Sequence, residues 1–480
     1  MTTMTVTENA DLMERAEAAV REYHYFQEAG LLCRDGDYVP SVHYPPITQY
    51  PTITEEQMFE TYTMPEDGML DVYAHIPFCE QRCVFCHYPV QLGHDKEKEK
   101  DRYLGAFEKE MDIYMRRLGI TKIQARSILV GGGTPTFLTL PQMKRFLDMF
   151  CSRIDLSKCT QFNYDVEPGS LLGVEGTERL RMMRSYGVDR LTIGIQSLDD
   201  YVLKKMNRPH DSQIAIDSIE NCMREGFQVN IEFIFGHPGE TIENWIEVMR
   251  KAVSLGVHEI QLYRLKIEAY GDYQGPIIKL KQVHPDKVPS AEMQMMMKRI
   301  AIDILKEAGY EENIRRVYSK KREHYSHYAH NQCCLQLDEI GLGLTAFSSL
   351  RDRFVLNTQH FNEYYSKIEQ GRLPLTRGYV RDQNAQKRWG IILPLKNRDV
   401  RKRQYEQIAG VPLDSVFRKK IQTMKDYGLV EETSRWLGLT ERGRFFADEC
   451  AHQFNAPEFA PFPRQRYNEG PLNPFNNSEP

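Results

Sequence analysis

The chain has 480 residues, 41% hydrophobic and 27% charged, with 62 basic against 67 acidic residues and a formal net charge of −5. That length suits two or three domains, and the charge balance excludes an overall basic footprint for nucleic acid. No apolar run approaches the roughly 18 residues of a membrane-spanning helix, and the stretch from Met1 to Ala19 lacks the basic and apolar regions of a signal peptide, so a cytoplasmic protein with no membrane partner is expected.

Residues 1–68 read as an N-terminal extension, helical over 9–28 and then rich in Tyr and Pro over 39–54, with no evident job beyond covering an end of the next domain. From Met69 the chain alternates short β-rich runs with helical ones, the pattern of βα units around a parallel sheet. Strands are expected at 72–77, 126–131, 161–166, 190–195, 228–235 and 259–266. The helix over 211–226 is typical: Asp211 caps it, Ile216, Ile219 and Met223 form its apolar stripe, and Gly226 ends it. Residues 94–102 alternate in sign, as a solvated helix start does. Met293, Met296, Met297 and Ile300 share one face of a helix over 290–309, and such a stripe is core filler. Six βα units over 69–309 imply a partial (βα)6 barrel, open on one side, with chemistry at the C-terminal strand ends. Residues 310–454 read as a mainly helical C-terminal domain, whose winged-helix look is no argument for DNA binding given the charge. The Pro- and Asn-rich tail 455–480 is expected to be poorly ordered.

The first strand runs straight into His75-Ile-Pro-Phe-Cys79-Glu-Gln-Arg-Cys83-Val-Phe-Cys86. Thiolates at C-x3-C-x2-C spacing can ligate three irons of one cubane cluster. Such clusters normally use four cysteines, so one iron is left open for chemistry. The alternative is zinc, with His75 or His87 as fourth ligand. Cys33, Cys151, Cys159, Cys222, Cys333, Cys334 and Cys450 are scattered, as free thiols of a reducing compartment are. The adjacent pair Cys333-Cys334 is not expected to ligate one metal.

Further motifs close the other strands. Val130-Gly-Gly-Gly-Thr-Pro135 lets backbone approach a ligand closely. Asp165-Val-Glu-Pro168 brings two carboxylates, which a plain strand-end pair would also do. Gly194-Ile-Gln-Ser197 is followed by Met206-Asn-Arg-Pro-His210, and Arg suits carboxylate binding in a partly dry site. His237-Pro-Gly239 offers either a proton shuttle or an ordinary hydrogen-bonded histidine. Tyr263 and Glu268 follow the sixth strand and point to the same mouth by the barrel argument.

From about Tyr73 to Ser348, and weakly to about Phe454, these motifs resemble radical S-adenosylmethionine (SAM) enzymes of the oxygen-independent coproporphyrinogen oxidase, or HemN-like, type. The resemblance implies a [4Fe–4S] cluster on Cys79, Cys83 and Cys86. It further implies SAM chelating the open iron and reductive cleavage to a 5′-deoxyadenosyl radical. Tyr73, Phe85, Gly132, Gly133 and Thr134 match cofactor-contacting positions, the glycines at the SAM amino group. The family's glutamate three residues before the proline is Asp165 here, with Glu167 two residues on. Gln196 and Arg208 match positions that hold the SAM carboxylate and ribose region, and Glu232 matches a ribose contact that is usually aspartate. Asp338-Glu-Ile-Gly-Leu-Gly-Leu-Thr-Ala-Phe-Ser348 resembles the glycine-rich segment that closes the site.

One departure directs the reading of the reaction. Porphyrinogen enzymes of the group carry a further cysteine two residues after the third ligand, where this chain has Tyr88. The expectation is therefore a two-SAM enzyme, in which a second SAM donates a methyl or methylene group to an sp2 carbon. Tyr263, Glu268 or His237 would serve as the base. Porphyrinogen decarboxylation and non-catalytic haem trafficking are the alternatives. A monomer with a small-molecule substrate and a reducing partner such as flavodoxin or ferredoxin completes the expectation.

Overall fold

The computed structural model describes residues 6–265 and 276–476. Its centre is one 13-stranded sheet. The six parallel strands expected from sequence are all present: β1 Met69–Ile76, β2 Ile123–Gly132, β3 Phe162–Val166, β4 Arg190–Gln196, β5 Gln228–Phe235 and β6 Glu259–Arg264. They lie side by side in sequence order, each paired in parallel with the next. The sheet does not close on itself. Beyond β6 it is extended by β7 Glu311–Ile314 and β8 Val317–Ser319. Beyond β1 it continues through β9 Glu339–Leu342, β10 Phe347–Leu350, β11 Arg353–Asn357 and β12 Leu375–Val380. Only β9 of these continues the parallel direction, paired with β1.

The alternation along each strand explains the architecture. Leu70, Val72, Ala74 and Ile76 of β1, Phe162 and Tyr164 of β3, Leu191, Ile193 and Ile195 of β4, and Val229, Ile231, Phe233 and Phe235 of β5 belong to one buried apolar core. The residues between them face the concave side, and they are polar: Tyr73, Asn163, Asp165, Arg190, Thr192 and Glu232 all line one cavity. Side chains of a strand alternate faces, so a polar hollow and an apolar helix-facing surface come from the same six segments. The buried Arg190–Glu259 pair, at 2.7 and 3.0 Å, braces this hollow below the strand ends.

The helices follow local rules. Asp211 caps Ser212–Arg224 by accepting from the Ile214 amide, and Gly226 follows at φ +83°. The Met297 and Ile300 side chains of Ala291–Glu307 are fully buried and Met293 and Met296 pack at its edge, so the methionine stripe is core. Among the described residues no helix is long and apolar enough to cross a membrane.

Three segments depart from the sequence reading. The chain does not become helical at 310. It first supplies both sheet edges, and the helical unit begins at Gln383–Asn397, around a small sheet of Asp399–Arg401, Val430–Glu432 and Trp436–Leu439. The edge strands are only three to six residues long, too short for their alternation to show. The Tyr- and Pro-rich loop is part of the cavity, with His43 against Phe347 and Phe354 at 4.9 and 4.4 Å between ring centroids. The tail is packed rather than poorly ordered as far as Asn476: Leu472 is 1% exposed, its amide bonds Ala29, Tyr467 bridges Cys33, and Arg466 pairs with Asp35 and Asp37. Composition misleads there because Phe462, Tyr467 and Phe475 of the tail cluster with Cys33 and Val39, which follow the N-terminal helix Val6–Glu28.

Candidate active site

The three cysteines lie on the loop after β1, at one end of a cavity of about 1260 Å³. The loop is tied down from two sides. Gly133 and Thr134 donate their amides to Ile76 and Phe78, and the Thr134 hydroxyl lies 3.4 Å from Cys79 Sγ. On the other side Val84 bonds Met206, Gln81 bonds Asn207, and the Asn207 amide bonds Arg82. Arg208 then reaches back, with Nη1 3.1 Å from Cys83 Sγ and Nη2 2.6 Å from the Gly194 carbonyl. Asn207 sits at φ +56°, in the left-handed region that Asn tolerates.

These thiols fit a cluster better than a single ion. Among the described residues no three His, Cys, Asp or Glu groups converge as one metal ion requires. Burial pushes the Cys79 thiol up to about 12, with Cys86 and Cys83 adding to the shift and Arg208 opposing it. Three thiols near enough to feel one another, but spread around an open space with an arginine and a hydroxyl donating to two of them, suit thiolates on separate irons.

The SAM positions also fit. A side chain at Gly133 would bring its Cβ within 2.8 Å of the Phe78 carbonyl, and one at Gly132 within 2.7 Å of the His75 ring. Gln196 stands at φ +68° with its Oε1 buried and unbonded, and Arg208 Nε is likewise unbonded. Unsatisfied polar atoms at one cavity wall await a polar guest.

The two carboxylates of β3 separate clearly. Glu167 is taken: it holds His210 Nδ1 at 2.9 Å and caps Pro168–Leu171 through the Ser170 amide. Among the described residues Asp165 accepts only from Asn163, at 3.1 Å, and it abuts Gly131, where a Cβ would lie 2.4 Å from its Oδ2. Burial raises the Asp165 carboxyl to about 8, and Glu232 across the hollow adds to it. Tyr263 donates to Glu232 at 3.3 Å and receives Gln261, so these three form a proton-bearing chain in the cavity wall.

Tyr73, Phe85, Gly132, Gly133, Thr134, Asp165, Glu167, Gln196, Arg208, Glu232 and Tyr263 all line the cavity with the three cysteines. His237 does not. It is buried in its own turn, its Nδ1 3.1 Å from the Pro238 carbonyl, and burial lowers it to about 4. Glu268 lies outside the described residues. Most of the far half of the cavity escaped the sequence reading. It is lined by Phe354, Trp389, Arg264, Arg377 and Cys333, together with Glu339 and Phe347 of the 338–348 segment that the sequence did point to. A signal did exist at Glu339, a carboxylate inside an apolar and glycine-rich run.

Residues 73–252, which span β1 to β5, match the family model described as the radical SAM superfamily. The chain is 24% identical over 394 residues to the haem chaperone HemW of Bacillus subtilis, covering 80% of this chain and 99% of that protein. It is 25% identical over 435 residues to an oxygen-independent coproporphyrinogen III oxidase of Salmonella typhimurium, covering 86% and 92%. Its fold is similar to the solved structure of coproporphyrinogen III oxidase (HemN) from Escherichia coli, with a TM-score of 0.74 at 20% identity over 86% of this chain and 96% of that one. The superfamily match lies on the segments that build the site and the fold similarity reaches beyond them, so the chain carries a radical SAM domain, similar to HemN and HemW proteins, in a fold whose cofactors are a [4Fe–4S] cluster and SAM.

Proposed function

We propose that the protein takes a hydrogen atom from a large, carboxylated substrate of the tetrapyrrole class, and that the substrate radical then loses carbon dioxide and a proton and passes one electron to an external one-electron acceptor, leaving an alkene side chain. The cavity carries this reading. At about 1260 Å³ it exceeds the ~300–1,000 Å³ of ordinary ligand pockets, so SAM at the cysteine end leaves a second space. That space has the Phe347–Phe354 stack, 4.9 Å between centroids, and Arg377, while Arg264 of the same lining is held by Gln294 and lies over Tyr38. The stack and Arg377 complement a ring system bearing carboxylates. Relatives named as coproporphyrinogen III oxidases support the same class.

When bound, the cluster supplies one electron to cleave SAM to a 5′-deoxyadenosyl radical; a flavodoxin- or ferredoxin-type donor would deliver that electron. Asp165, Gln196 and Arg208 would hold and orient SAM, and Tyr73 and the Gly131–Gly133 turn would keep water from it. Tyr263, with Glu232 and Gln261, moves a proton at the substrate edge.

A second reading, methyl or methylene transfer from a second SAM, is favoured by Tyr88. It stands 57% exposed toward the cavity, where porphyrinogen enzymes of the group carry a cysteine. Anaerobic turnover of coproporphyrinogen III with SAM and reductant separates the two. Decarboxylation gives 5′-deoxyadenosine and carbon dioxide without S-adenosylhomocysteine. Transfer gives 5′-deoxyadenosine and S-adenosylhomocysteine in equal amounts, with deuterium from methyl-labelled SAM in the former. Tight haem binding without substrate-dependent 5′-deoxyadenosine would overturn both in favour of a chaperone like the Bacillus relative.

A further inference from the structure

The electron that the proposed reaction needs must reach the cysteine loop from outside, and one exposed contact leads there directly. The segment Met206–Arg208 clasps the loop: the Val84 amide bonds Met206, Gln81 bonds Asn207, and the Asn207 side-chain amide bonds the Arg82 carbonyl at 2.8 Å. Asn207 is exposed, so one hydrogen bond and one peptide step join the surface to Cys83, whose Sγ also meets Arg208 at 3.1 Å.

The helix before this clasp, Asp200–Lys205, buries Val202 and Leu203 and leaves Tyr201, Lys204 and Lys205 exposed, at the i, i+3 and i+4 spacing of one face. Tyr201 is 56% exposed, a large ring in water, and Lys205 Nζ lies 5.3 Å from its centre. Arg82, Lys204 and Lys205 make no ion pair among the described residues. The acids nearby are engaged. Asp199 accepts the Tyr201 and Val202 amides and the Asn244 side chain, Asp200 accepts the Ser212 amide, and Glu80 lies 3.2 Å from His94. A chain of net charge −5 therefore keeps three cations without an ion pair around an exposed ring, beside the loop that would hold its cluster. Such a surface complements an acidic partner.

We infer that the face of Tyr201, Lys204 and Lys205, with Arg82 beside it, docks an acidic one-electron carrier of the flavodoxin type, and that the electron enters through the Asn207–Arg82 contact to Cys83. One electron leaves the carrier's reduced flavin and one arrives at the oxidised cluster, with no atom transferred. This rests on the external donor of the function proposed above, whichever reaction follows.

The test uses the full-length, reconstituted protein and an acidic flavodoxin, with equilibrium binding and stopped-flow reduction of the cluster as separate readouts. Lys204→Glu with Lys205→Glu reverses the face, and Lys204→Gln with Lys205→Gln neutralises it. Lys122→Glu with Lys158→Glu makes the same charge change at exposed positions before β2 and β3, at the opposite strand ends. Iron content and SAM affinity control for an intact site. The reversal should lower both flavodoxin affinity and the second-order reduction rate roughly tenfold or more at low salt, the neutral pair by less, and the control pair hardly at all. The gap should narrow as salt rises, because screening weakens exposed charges. Reduction by a small cationic viologen, which needs no docking, should not slow. Equal losses in the reversal and control pairs, or a reversal without effect, would overturn the docking face while leaving an external donor standing. A single-stranded oligonucleotide that binds the face as tightly as flavodoxin would mark a general polyanion surface and overturn it too. A wild type reduced by viologen but not by flavodoxin would overturn the face and the flavodoxin-type donor together. Should the reversed pair fail to fold, the neutral pair against the same partners decides in the same way.

Discussion

The two ends of the cavity are built by different means. The cysteine end comes from contiguous motifs at the ends of parallel strands, each short enough to be one turn: the loop at 79–86, the glycines at 131–133, and Gln196 with Arg208. The far end takes single side chains from segments hundreds of residues apart: His43 from the N-terminal loop, Phe347 and Phe354 from the antiparallel edge, and Trp389 from the helical unit. A site that must hold one fixed cofactor is made by backbone geometry. A site that must recognise a substrate is made by side chains on a scaffold, where they can differ without disturbing the machinery.

That contrast can be broken by mutation. The largest effect is expected for Cys83→Ala: the cluster should be lost, with iron falling from about four per chain to near zero, while Cys333→Ala at the far end keeps its iron. Retention of brown absorbance in Cys83→Ala would erase the distinction. Arg208→Ala should come next. Removing a residue that holds a charged group in a desolvated site costs ~2–5 kcal/mol, so SAM affinity should fall tenfold or more in equilibrium binding. Arg377→Ala, at the far end, should leave SAM affinity alone and weaken coproporphyrin III instead.

Two smaller effects sharpen the comparison through stability. Leu472→Ala opens a void in the packed tail at a residue 1% exposed and should cost about 2–5 kcal/mol, read by denaturant unfolding, with iron content unchanged. Glu110 tests the brace of the far end. It is fully buried on Glu97–Leu118 and accepts from the Gly343 amide, the Asn357 amide and the Tyr364 hydroxyl at 2.8, 2.8 and 2.6 Å. Burial raises its carboxyl from 4.5 to about 7, against those hydrogen bonds. The folded state then binds the proton more tightly than the unfolded state between pH 4.5 and 7, so this contribution to stability is full below 4.5 and gone above 7. Stability should fall over that window in wild type and fall less in Glu110→Gln. Parallel profiles would show that Glu110 is not the titrating brace.

The same contrast explains what could be read from the sequence. The six parallel strands were legible because Leu191, Ile193 and Ile195, or Val229, Ile231 and Phe233, face helices in strict alternation with polar neighbours. The cysteines, glycines, Gln196 and Arg208 were legible because each function occupies one short stretch. His237 looked like a mouth residue because it follows a strand, but the Gly236 and His237 amides fold back onto Glu240 at 2.7 and 3.1 Å and turn the histidine inward. Beyond the 338–348 segment the far wall was illegible because Phe354 and Trp389 look like ordinary core residues until the fold brings them to one surface. The tail misled because its partners lie more than 400 positions earlier in the chain.

That tail has a consequence for how the molecule is made. The N-terminal helix Val6–Glu28 can lay its first turns on Ala291–Glu307, through Arg15 and Asp303, once that helix has emerged. Its last turn and the residues after it wait for Phe446, Arg466 and Leu472. At about 5–20 residues per second of synthesis, that interval is roughly 8–33 seconds. For that time Phe26, Leu31 and Leu32, all buried in the finished protein, are apolar surface without a home on the ribosome.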